Sequence, residues 1–223
     1  MLVKDKVKTD KIYPDSKVEL QPFTAAHYDN LLNIASFGFY RGFIRRAIRA
    51  MCIQPGDKIL DLGCGTGRNS CLMAKYLGNV GQLTGLDISP IMEKQFIKKC
   101  AGYHNVSFVR QRIDQIFDLH ERFDKIFISF VIHGFPHEVR QTVLKNVFNH
   151  LKSEGIFFML DYAEFRPEEM PPLFRYIFNH MECRYAFDFI ERDWKQILAG
   201  FNFHDFEEHF FARSYVRLLK AEK

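Results

Sequence analysis

The sequence lacks the features that mark several specialised classes of protein. Its five cysteines are odd in number and no two have Cys-x-x-Cys spacing, which indicates neither a disulfide framework nor a zinc site and favours a reducing cytoplasm. No apolar run reaches the length of a membrane span, and the first residues lack the apolar core of a signal peptide. A net charge of +4 is too small to require nucleic acid or an anionic surface as a partner. We therefore expect a soluble cytoplasmic protein, with loose attachment to a membrane left open.

The strongest functional signal is the segment 59–67, Ile-Leu-Asp-Leu-Gly-Cys-Gly-Thr-Gly. A short apolar run ends in an acid, a glycine-rich turn follows, and a helical pattern begins at Arg68. Glycines permit positive φ angles and let a ligand approach the backbone more closely than a Cβ would allow. The first turn of a helix also presents N–H groups without intrahelical partners. This order of strand, turn and helix predicts a site for a nucleotide-like ligand.

The glycine spacing separates this turn from two related motifs. A dinucleotide-binding turn would need its third glycine at position 68, which is Arg68, and a P-loop would need Gly-Lys-Ser/Thr, which is absent. Asp61, two residues before Gly63, suits a ligand with an ammonium group better than a pyrophosphate. A nucleotide-dependent oxidoreductase is therefore disfavoured.

Apolar runs alternate with helical patterns through the rest of the chain, which predicts an α/β domain with a parallel sheet covered by helices on both faces. Residues 1–24 are expected to form a loose arm, and residues 162–192, rich in proline and aromatic residues, an insertion. The predicted strands are 58–62, 82–87, 106–109, 124–131, 156–161, 203–210 and 213–219. The predicted helices, besides the one from Arg68, are 27–35, 41–51, 90–101, 137–151, 172–182 and 191–199.

The glycine-rich turn resembles that of class I S-adenosylmethionine (SAM)-dependent methyltransferases, and the likeness extends over roughly residues 25–220. Asp87 ends the second strand, where the family's acid binds the ribose hydroxyls. The segment 123–136 resembles the fourth-strand motif, whose end approaches the methyl donor and the substrate. The segment 151–155, Leu-Lys-Ser-Glu-Gly, resembles the family's Leu-Lys-Pro-Gly-Gly turn. The resemblance implies a Rossmann-like, seven-stranded, mostly parallel sheet, with one antiparallel strand near an edge.

The resemblance also implies SAM as the cofactor and assigns a set of residues to it. Cys64 is expected to contribute its backbone N–H, and Asp114, beside the apolar Ile113, to meet the adenine amino group. Acids at strand ends often cap the following helix or turn instead, and this reading stays open, above all for Asp114. The residues assigned to the cofactor are Asp61, Gly63, Cys64, Gly65, Asp87, Ile88, Ile113, Asp114, Ser129 and Phe130.

His133 is the titratable residue expected nearest to the point of methyl transfer. It could act as a general base, or it could be a satisfied polar residue that shapes the pocket. His137 lies four residues further on, but Gly134 and Pro136 oppose the continuous helix that two metal ligands at this spacing would need. No metal site is therefore predicted.

The acceptor's side of the site is predicted from a narrower likeness. The segments 28–41 and 161–167 resemble the ubiquinone/menaquinone-biosynthesis methyltransferases. Tyr28 and Tyr40, in proposed lid helices within residues 25–51, and Tyr162 are therefore expected to meet the substrate together with His133, although plain helix packing is an equal alternative for the lid residues.

The sequence thus predicts an enzyme that transfers a methyl group from SAM to a small-molecule or lipid-like acceptor, including quinone types. One alternative is an RNA or protein methyltransferase, although nucleic acid is an unlikely partner. The other alternative is a SAM-binding protein without transfer activity.

An arginine stripe on the second helix could bind phosphates, but such stripes are usually solvated. The stripe consists of Arg41, Arg45, Arg46 and Arg49. Nothing in the sequence indicates the oligomeric state.

Overall fold

A seven-stranded sheet organises the protein, in a computed structural model that describes residues 13, 16 and 39–223. The strand order is β3-β2-β1-β4-β5-β7-β6. Strands β1 to β5 are parallel, and β7 lies antiparallel between β5 and β6, one place in from the edge. This confirms the predicted sheet. The strands are β1 (Lys58–Leu62), β2 (Gln82–Asp87), β3 (Val106–Arg110), β4 (Phe123–Ser129), β5 (Leu151–Tyr162), β6 (His204–Phe211) and β7 (Val216–Glu222).

Seven α-helices are found in the described part of the chain, and two short 3-10 turns lie at Ile132–Gly134 and Pro167–Glu169. None of these helices is long and apolar enough to cross a membrane. The predicted helix 27–35 lies outside the described residues, and helix α6 was not predicted. The helices are α1 (Phe39–Ala50), α2 (Arg68–Ala74), α3 (Pro90–Cys100), α4 (His137–His150), α5 (Pro172–Met181), α6 (Arg184–Ile190) and α7 (Trp194–Ala199).

Both faces of the central strands of the sheet are buried. Ile126 and Ile128 of β4 pack in a core with α4, α6 and α7, whereas Phe127 between them packs in a second core with α1, α2 and α3. Successive side chains of a strand point to opposite faces, so an almost continuous apolar run is what a strand buried on both sides requires. This is why the sequence predicted β4 as a central strand.

Three strands have boundaries that differ from the prediction by two or more residues. Strand β7 begins at Val216 and not at residue 213, because residues 212–214 adopt left-handed φ angles. Strand β4 ends at Ser129 and not at residue 131, because Phe130 adopts a left-handed φ of +52° that breaks the extended backbone. Strand β5 begins at Leu151 and not at residue 156, since Leu151 already pairs with Phe123 before an irregularity in the ladder. The predicted turn over 151–155 is therefore part of an irregular strand.

The expectation that the cysteines form no disulfide is wrong. Cys71 of α2 and Cys100, at the end of α3, form a disulfide with a Cα–Cα distance of 5.7 Å. They are 29 residues apart in the chain, and only the packing of α2 beside α3 brings them together. No spacing rule could have found this pair.

Two residues of the predicted N-terminal arm are described, and both contact the domain. The Tyr13 ring lies edge-on against Phe135, with 5.6 Å between ring centroids. The Ser16 hydroxyl donates a hydrogen bond of 2.7 Å to the Gly134 carbonyl. The arm is thus anchored at these two positions beside the loop that follows β4.

A buried arginine connects that loop to the insertion. Arg140 of α4 is fully buried, and its guanidinium donates to the Ile132 carbonyl at 3.2 Å and the His133 carbonyl at 3.1 Å. It also donates to the Tyr185 carbonyl at 2.5 Å and to Asp188 of α6 at 2.6 Å. A buried charge is tolerated only when its hydrogen bonds are satisfied. One side chain therefore fixes the loop after β4 against α6.

Replacing Arg140 by methionine should lower the free energy of unfolding by about 3–5 kcal/mol, because it leaves the buried carbonyl groups of Ile132, His133 and Tyr185 without their donor. Chemical denaturation measures this loss. The matched control is Arg192→Met, which removes the other, more exposed partner of Asp188 and should cost about 1 kcal/mol or less. Equal losses for the two variants would contradict the role given to Arg140.

Candidate active site

The predicted site residues that follow β1, β2, β4 and β5 lie at one edge of the sheet, at the carboxyl ends of these parallel strands. Ligands of open α/β sheets bind at this edge, where neighbouring strands connect to helices on opposite faces. The loop after β4 comes so close to the glycine-rich turn that a Cβ on Gly63 would lie 2.6 Å from a methyl group of Val131. Gly63 is therefore required by packing between two loops of the site.

Gly65 serves a different purpose in the same turn. Its φ is +53°, and a Cβ added there would meet no heavy atom of the protein within 4 Å. The backbone at Gly65 thus borders open space, as a surface that a ligand approaches closely must. This matches the function predicted for the glycine-rich turn.

The structure corrects the prediction for Cys64. Its backbone N–H donates to the carbonyl of Leu86 at 2.9 Å, so this group is already used by the protein. Its thiol is buried, and a Cβ on Gly85 of β2 would come within 2.8 Å of Sγ. Cys64 therefore packs the turn against β2 and does not offer an N–H to a ligand.

Asp87 lies at the end of β2, next to the glycine-rich turn. Its Oδ2 accepts a hydrogen bond from the Gly65 N–H at 3.0 Å, and its Oδ1 accepts one from the Ser89 N–H at 2.9 Å. Burial raises the pKa of Asp87, and these two N–H groups oppose that rise. Each carboxylate oxygen keeps a further lone pair that can accept from a hydroxyl. The side chain of Ile88, beside it, is exposed, as a surface for a planar ring should be.

Asp61, at the end of β1, is buried, and its carboxylate accepts a hydrogen bond of 2.5 Å from the Ser70 hydroxyl. Burial raises the pKa of Asp61 to about 7; the Ser70 hydrogen bond opposes this shift and the charge of Asp87 adds to it. A cation beside this carboxyl group would favour its ionised form. Asp61 is thus suited to a ligand that carries an ammonium group.

The end of β4 supplies polar atoms and an aromatic ring to the same edge. Ser129 Oγ accepts a hydrogen bond of 2.9 Å from the amide of Asn69, a residue that sequence reasoning missed. Asn69 Oδ1 is buried and accepts no hydrogen bond within the described part of the chain. Phe130 follows, and its ring meets that of Phe43 in α1 at 6.1 Å. An unsatisfied acceptor next to the glycine-rich turn favours a ligand that donates a hydrogen bond.

Ile113 and Asp114 lie beyond β3, on the far side of Asp87. Ile113 is buried in the core. The carboxylate of Asp114 accepts a hydrogen bond of 2.7 Å from the Tyr13 hydroxyl and also pairs with Arg112. Burial and this carboxylate raise the pKa of Tyr13 to about 12. Asp114 thus binds the N-terminal arm, which competes with the contact to adenine that the sequence predicts.

His133 is buried in the 3-10 turn after β4, between two carboxylates. Its Nδ1 donates to Asp161 Oδ1 at 2.7 Å, and its Nε2 lies 3.6 Å from Glu182 Oε2. Burial alone would lower the pKa of His133, but the charge and hydrogen bond of Asp161, with a smaller contribution from Glu182, raise it above its usual value. The arrangement fixes the imidazole with Nδ1–H toward Asp161, which leaves Nε2 to exchange a proton.

Tyr162 completes this cluster. Its hydroxyl donates to Glu182 Oε1 at 2.7 Å, and its ring lies 5.2 Å from that of His133. Burial and the Glu182 carboxylate raise its pKa well above 10, so the hydroxyl stays protonated. Sequence reasoning named His133 and Tyr162 but missed Asp161 and Glu182 as site residues. Asp161 ends β5, and an acid at a strand end was a usable signal; Glu182 had none.

Two predicted lid residues, Tyr28 and Tyr40, differ in what the structure describes. Tyr28 lies outside the described residues, and Tyr40 lies in α1, where the structure describes its backbone alone. Phe43 in α1 contacts both Phe130 and Phe211, so this helix borders the end of β4.

A cavity of about 640 Å³ lies beside the insertion. Phe165 belongs to its lining, and the same ring packs 6.3 Å from Tyr162 and 5.4 Å from Phe178. An aromatic layer therefore separates the cavity from His133. The other lining residues are Arg166, Pro167, Glu168, Arg175, Asn179, Phe187 and Glu191.

The sheet order, the antiparallel β7 and the glycine-rich turn between Asp61 and Asp87 define a class I methyltransferase-type α/β domain. The family model described as a methyltransferase domain matches residues 53–200, more than half of the chain. The chain therefore belongs to the methyltransferase-domain family.

Curated relatives include several named demethylmenaquinone methyltransferase. The protein of Staphylococcus carnosus is 28% identical over 213 residues, covering 93% of this chain and 84% of that protein. The protein of Geobacillus stearothermophilus is 31% identical over 142 residues, or 63% of this chain and 60% of that protein. That of Lysinibacillus sphaericus is 26% identical and covers 70% and 65%. The chain thus spans less than two thirds of the length of the last two relatives.

Solved structures show the same fold. A SAM-dependent methyltransferase from Aquifex aeolicus superposes with a TM-score of 0.61 at 17% identity, covering 80% of this chain and 88% of that one. The N-methyltransferase NodS from Bradyrhizobium japonicum, in complex with S-adenosyl-L-homocysteine, gives 0.58 at 14% identity and covers 84% and 87%. At these identities the likeness concerns the fold alone.

The pKa of Asp61 predicts how stability changes with pH. Because this pKa is raised from 3.8 to about 7, the folded protein keeps a proton that the unfolded chain releases, and stability falls as pH rises across that interval. Asp61→Asn keeps an acceptor for Ser70 and cannot ionise. Its free energy of unfolding, relative to wild type, should therefore increase from pH 4 to pH 8 by on the order of 4 kcal/mol. Denaturation at several pH values measures it, and a difference that stays constant would contradict the assignment.

Proposed function

We propose that this protein transfers a methyl group from SAM to a small aromatic acceptor of quinone type. The observation that supports the proposal best is the position of His133. Held by Asp161 at the carboxyl end of the sheet, it lies in the loop that packs, through Val131, against the glycine-rich turn. A cofactor-type turn and a buried acid–base group thus belong to one site. The names of the curated relatives support the choice of acceptor.

The residues present fit SAM as cofactor. Asp87 would accept hydrogen bonds from the ribose hydroxyls, with Ile88 against the adenine. Asp61 and the free acceptor of Asn69 would hold the ammonium end. Gly65 leaves the space that a nucleoside needs. Of the remaining predicted contacts, we retain Ser129 and Phe130 at the end of β4. Asp114 would serve only if its hydrogen bond from Tyr13 were exchanged, and Ile113 is buried in the core.

When bound, SAM supplies a methyl group on a positively charged sulfur, which makes a good leaving group. The protein then has to align the acceptor and exclude water. The rings of Phe130, Phe165 and Phe178 surround Tyr162, within 6.3 Å between centroids, and Tyr162 lies against His133. Such a wall is suited to a flat aromatic acceptor, which packs edge-on or offset against rings.

A carbon or oxygen acceptor has to lose a proton during the reaction, and His133 is placed to take it. Nδ1–H stays on Asp161, so the proton from the acceptor goes to Nε2, where Glu182 stabilises the resulting imidazolium. Asp161 thereby acts as a positioning residue. Tyr162 holds Glu182 in place through its hydroxyl.

The domain boundaries and location that the sequence predicts remain part of this proposal. The lid helices within residues 25–51 and the insertion 162–192 would cover the site. The cytoplasmic location rests on cysteine usage, and the disulfide between Cys71 and Cys100 weighs against it. Exposed arginines on α1, which an RNA-binding enzyme could use, are present at positions 45, 46 and 49, and Arg45 and Arg49 line a small pocket of about 200 Å³ together with Lys75 and Tyr76.

Calorimetric titration with SAM tests the cofactor site. Wild type should bind in the micromolar range, and Asp87→Ala should weaken binding about a hundredfold, because two hydrogen bonds to a carboxylate are lost. Gly65→Ala should weaken it at least about tenfold by filling the open space. The control is Gly102→Ala, which also projects into open space but lies at the end of α3. Tight binding by Gly65→Ala would exclude this turn as the cofactor site.

Turnover with a demethylated quinol tests the acid–base role. His133→Ala should lower kcat about a hundredfold or more while SAM still binds, whereas His137→Ala, a less buried histidine four residues away, should change kcat little. Asp161→Asn should lower kcat and move the acidic limb of the pH–rate profile to lower pH, because Asp161 raises the pKa of His133. Unchanged turnover of His133→Ala would remove it from the mechanism. SAM binding without turnover on any acceptor would favour a binding protein.

A further inference from the structure

Helix α5 presents a broad apolar face to the surroundings. The exposed fractions are 67% for Leu173, 46% for Phe174, 62% for Tyr176, 42% for Ile177 and 57% for Met181. At 3.6 residues per turn these five side chains occupy one side of the helix. Soluble proteins seldom collect so many large apolar side chains on one exposed element, and such patches mark interaction surfaces.

The concentration on α5 is specific to this helix. Eleven large apolar side chains are exposed among those whose exposure is described, and five of them belong to the ten residues of α5. The others are scattered singly, as exposed apolar residues usually are. They are Tyr76, Val80, Ile88, Ile97, Ile116 and Phe210.

The opposite side of α5 faces the site. Phe178 is the buried residue of the helix, and its ring contacts those of Tyr162, Phe165 and Phe187 at 5.1–5.4 Å. Arg175 and Asn179, one turn apart, line the 640 Å³ cavity, and Glu182 follows the helix directly. The helix thus contacts the aromatic rings around Tyr162 through Phe178 and borders this cavity through Arg175 and Asn179, while its apolar face is turned toward the surroundings.

Arginines lie at the edge of this apolar face. The Arg213 guanidinium, in the turn between β6 and β7, lies over the Phe174 ring at 5.6 Å. Phe211 precedes this turn, and the guanidinium of Arg46 in α1 lies over its ring, 5.9 Å from the ring centroid. Apolar side chains rimmed by cations are the pattern of helices that lie in the interface of an anionic bilayer.

We propose that α5, with Arg213 in the turn beside it and Arg46 of α1, docks on an anionic lipid bilayer. The apolar side chains would enter the boundary between headgroups and acyl chains, and the arginines would meet lipid phosphates. Resting on the proposed function, this docking places the cavity beside α5 at the bilayer surface, where a lipid-like quinone could enter without crossing water.

Co-sedimentation with unilamellar vesicles tests the proposal. Wild type should bind vesicles of phosphatidylcholine with phosphatidylglycerol, bind pure phosphatidylcholine less, and bind more weakly at 0.5 M than at 0.1 M salt. Leu173→Glu with Ile177→Glu should lower the partition coefficient at least about tenfold. Arg213→Ala should lower it about fivefold on the anionic vesicles only.

The matched control is Ile97→Glu with Ile116→Glu. It makes the same change of charge at side chains that are 58% and 66% exposed but lie far from α5 in the chain, and it should bind vesicles nearly as wild type does. Equal losses in both double variants would overturn the proposal, as would failure of wild type to bind anionic vesicles. A wild-type dimer that Leu173→Glu with Ile177→Glu dissociates, without vesicle binding, would assign the face to a second copy of the chain.

Turnover separates this inference from the proposed function. With a short-chain, water-soluble quinol, the Leu173→Glu, Ile177→Glu variant should keep the kcat of wild type. With a long-chain quinol in vesicles, its turnover rate should fall by the same factor as its vesicle partition coefficient. Vesicle binding needs no catalysis. Binding by wild type without turnover of any quinol would therefore refute the proposed function and leave the docking surface standing.

Discussion

The guanidinium of Arg140 is the interaction on which the site depends. Fully buried, it holds the carbonyls of Ile132 and His133 on one side and α6 on the other. A charge so far from water has to be stabilised by such partners, so the loop after β4 and the insertion have to fold against each other. This contact fixes the backbone of His133 while Asp161 fixes its side chain. The sheet provides the edge at which the site lies, and Arg140 fixes the position of the loop that carries His133 at that edge.

Charged groups at this edge have been taken out of water in two different ways. Asp61 has the Ser70 hydroxyl and no cation among its described partners, so burial raises the pKa of its carboxyl group to about 7 and leaves it only partly ionised near that pH. His133 instead lies between two carboxylates, and their charges outweigh burial. Groups whose environments push their pKa values in this way cluster at functional sites. The buried carboxyl group of Asp61 lowers the stability of the fold as pH rises, and a cationic ligand beside it would offset that cost by favouring the ionised form.

Most of the fold could be predicted from the sequence because its signals are local. The glycine spacing, the acids at strand ends and the apolar run of β4 each depend on neighbours in the chain, and helix boundaries such as those of α3 and α4 came within a residue. Helix α6 was not predicted because its seven residues, rich in aromatic side chains, show no clear helical period. The end of β4 was misplaced because the left-handed conformation of a bulky residue such as Phe130 has no sequence signature.

The candidate site divides in the same way. Asp61, Gly65, Asp87 and His133 could be named from motifs, since each lies at a fixed place in a strand–turn–helix unit. The disulfide could not be predicted, because its cysteines are 29 residues apart and only folding brings them together. Glu182 could not be predicted either, because it meets His133 only after the insertion has folded against the loop after β4. The role of Cys64 failed for a related reason: its N–H was satisfied by a neighbouring strand.

The disulfide between Cys71 and Cys100 has a consequence for motion. It joins the helix that follows the glycine-rich turn to the helix that follows Asp87, so these two helices cannot separate. Helix α5, by contrast, contacts the rest of the domain through side chains such as Phe174 and Phe178 and through the adjoining Glu182. Relative motion is therefore more restricted between α2 and α3 than at α5.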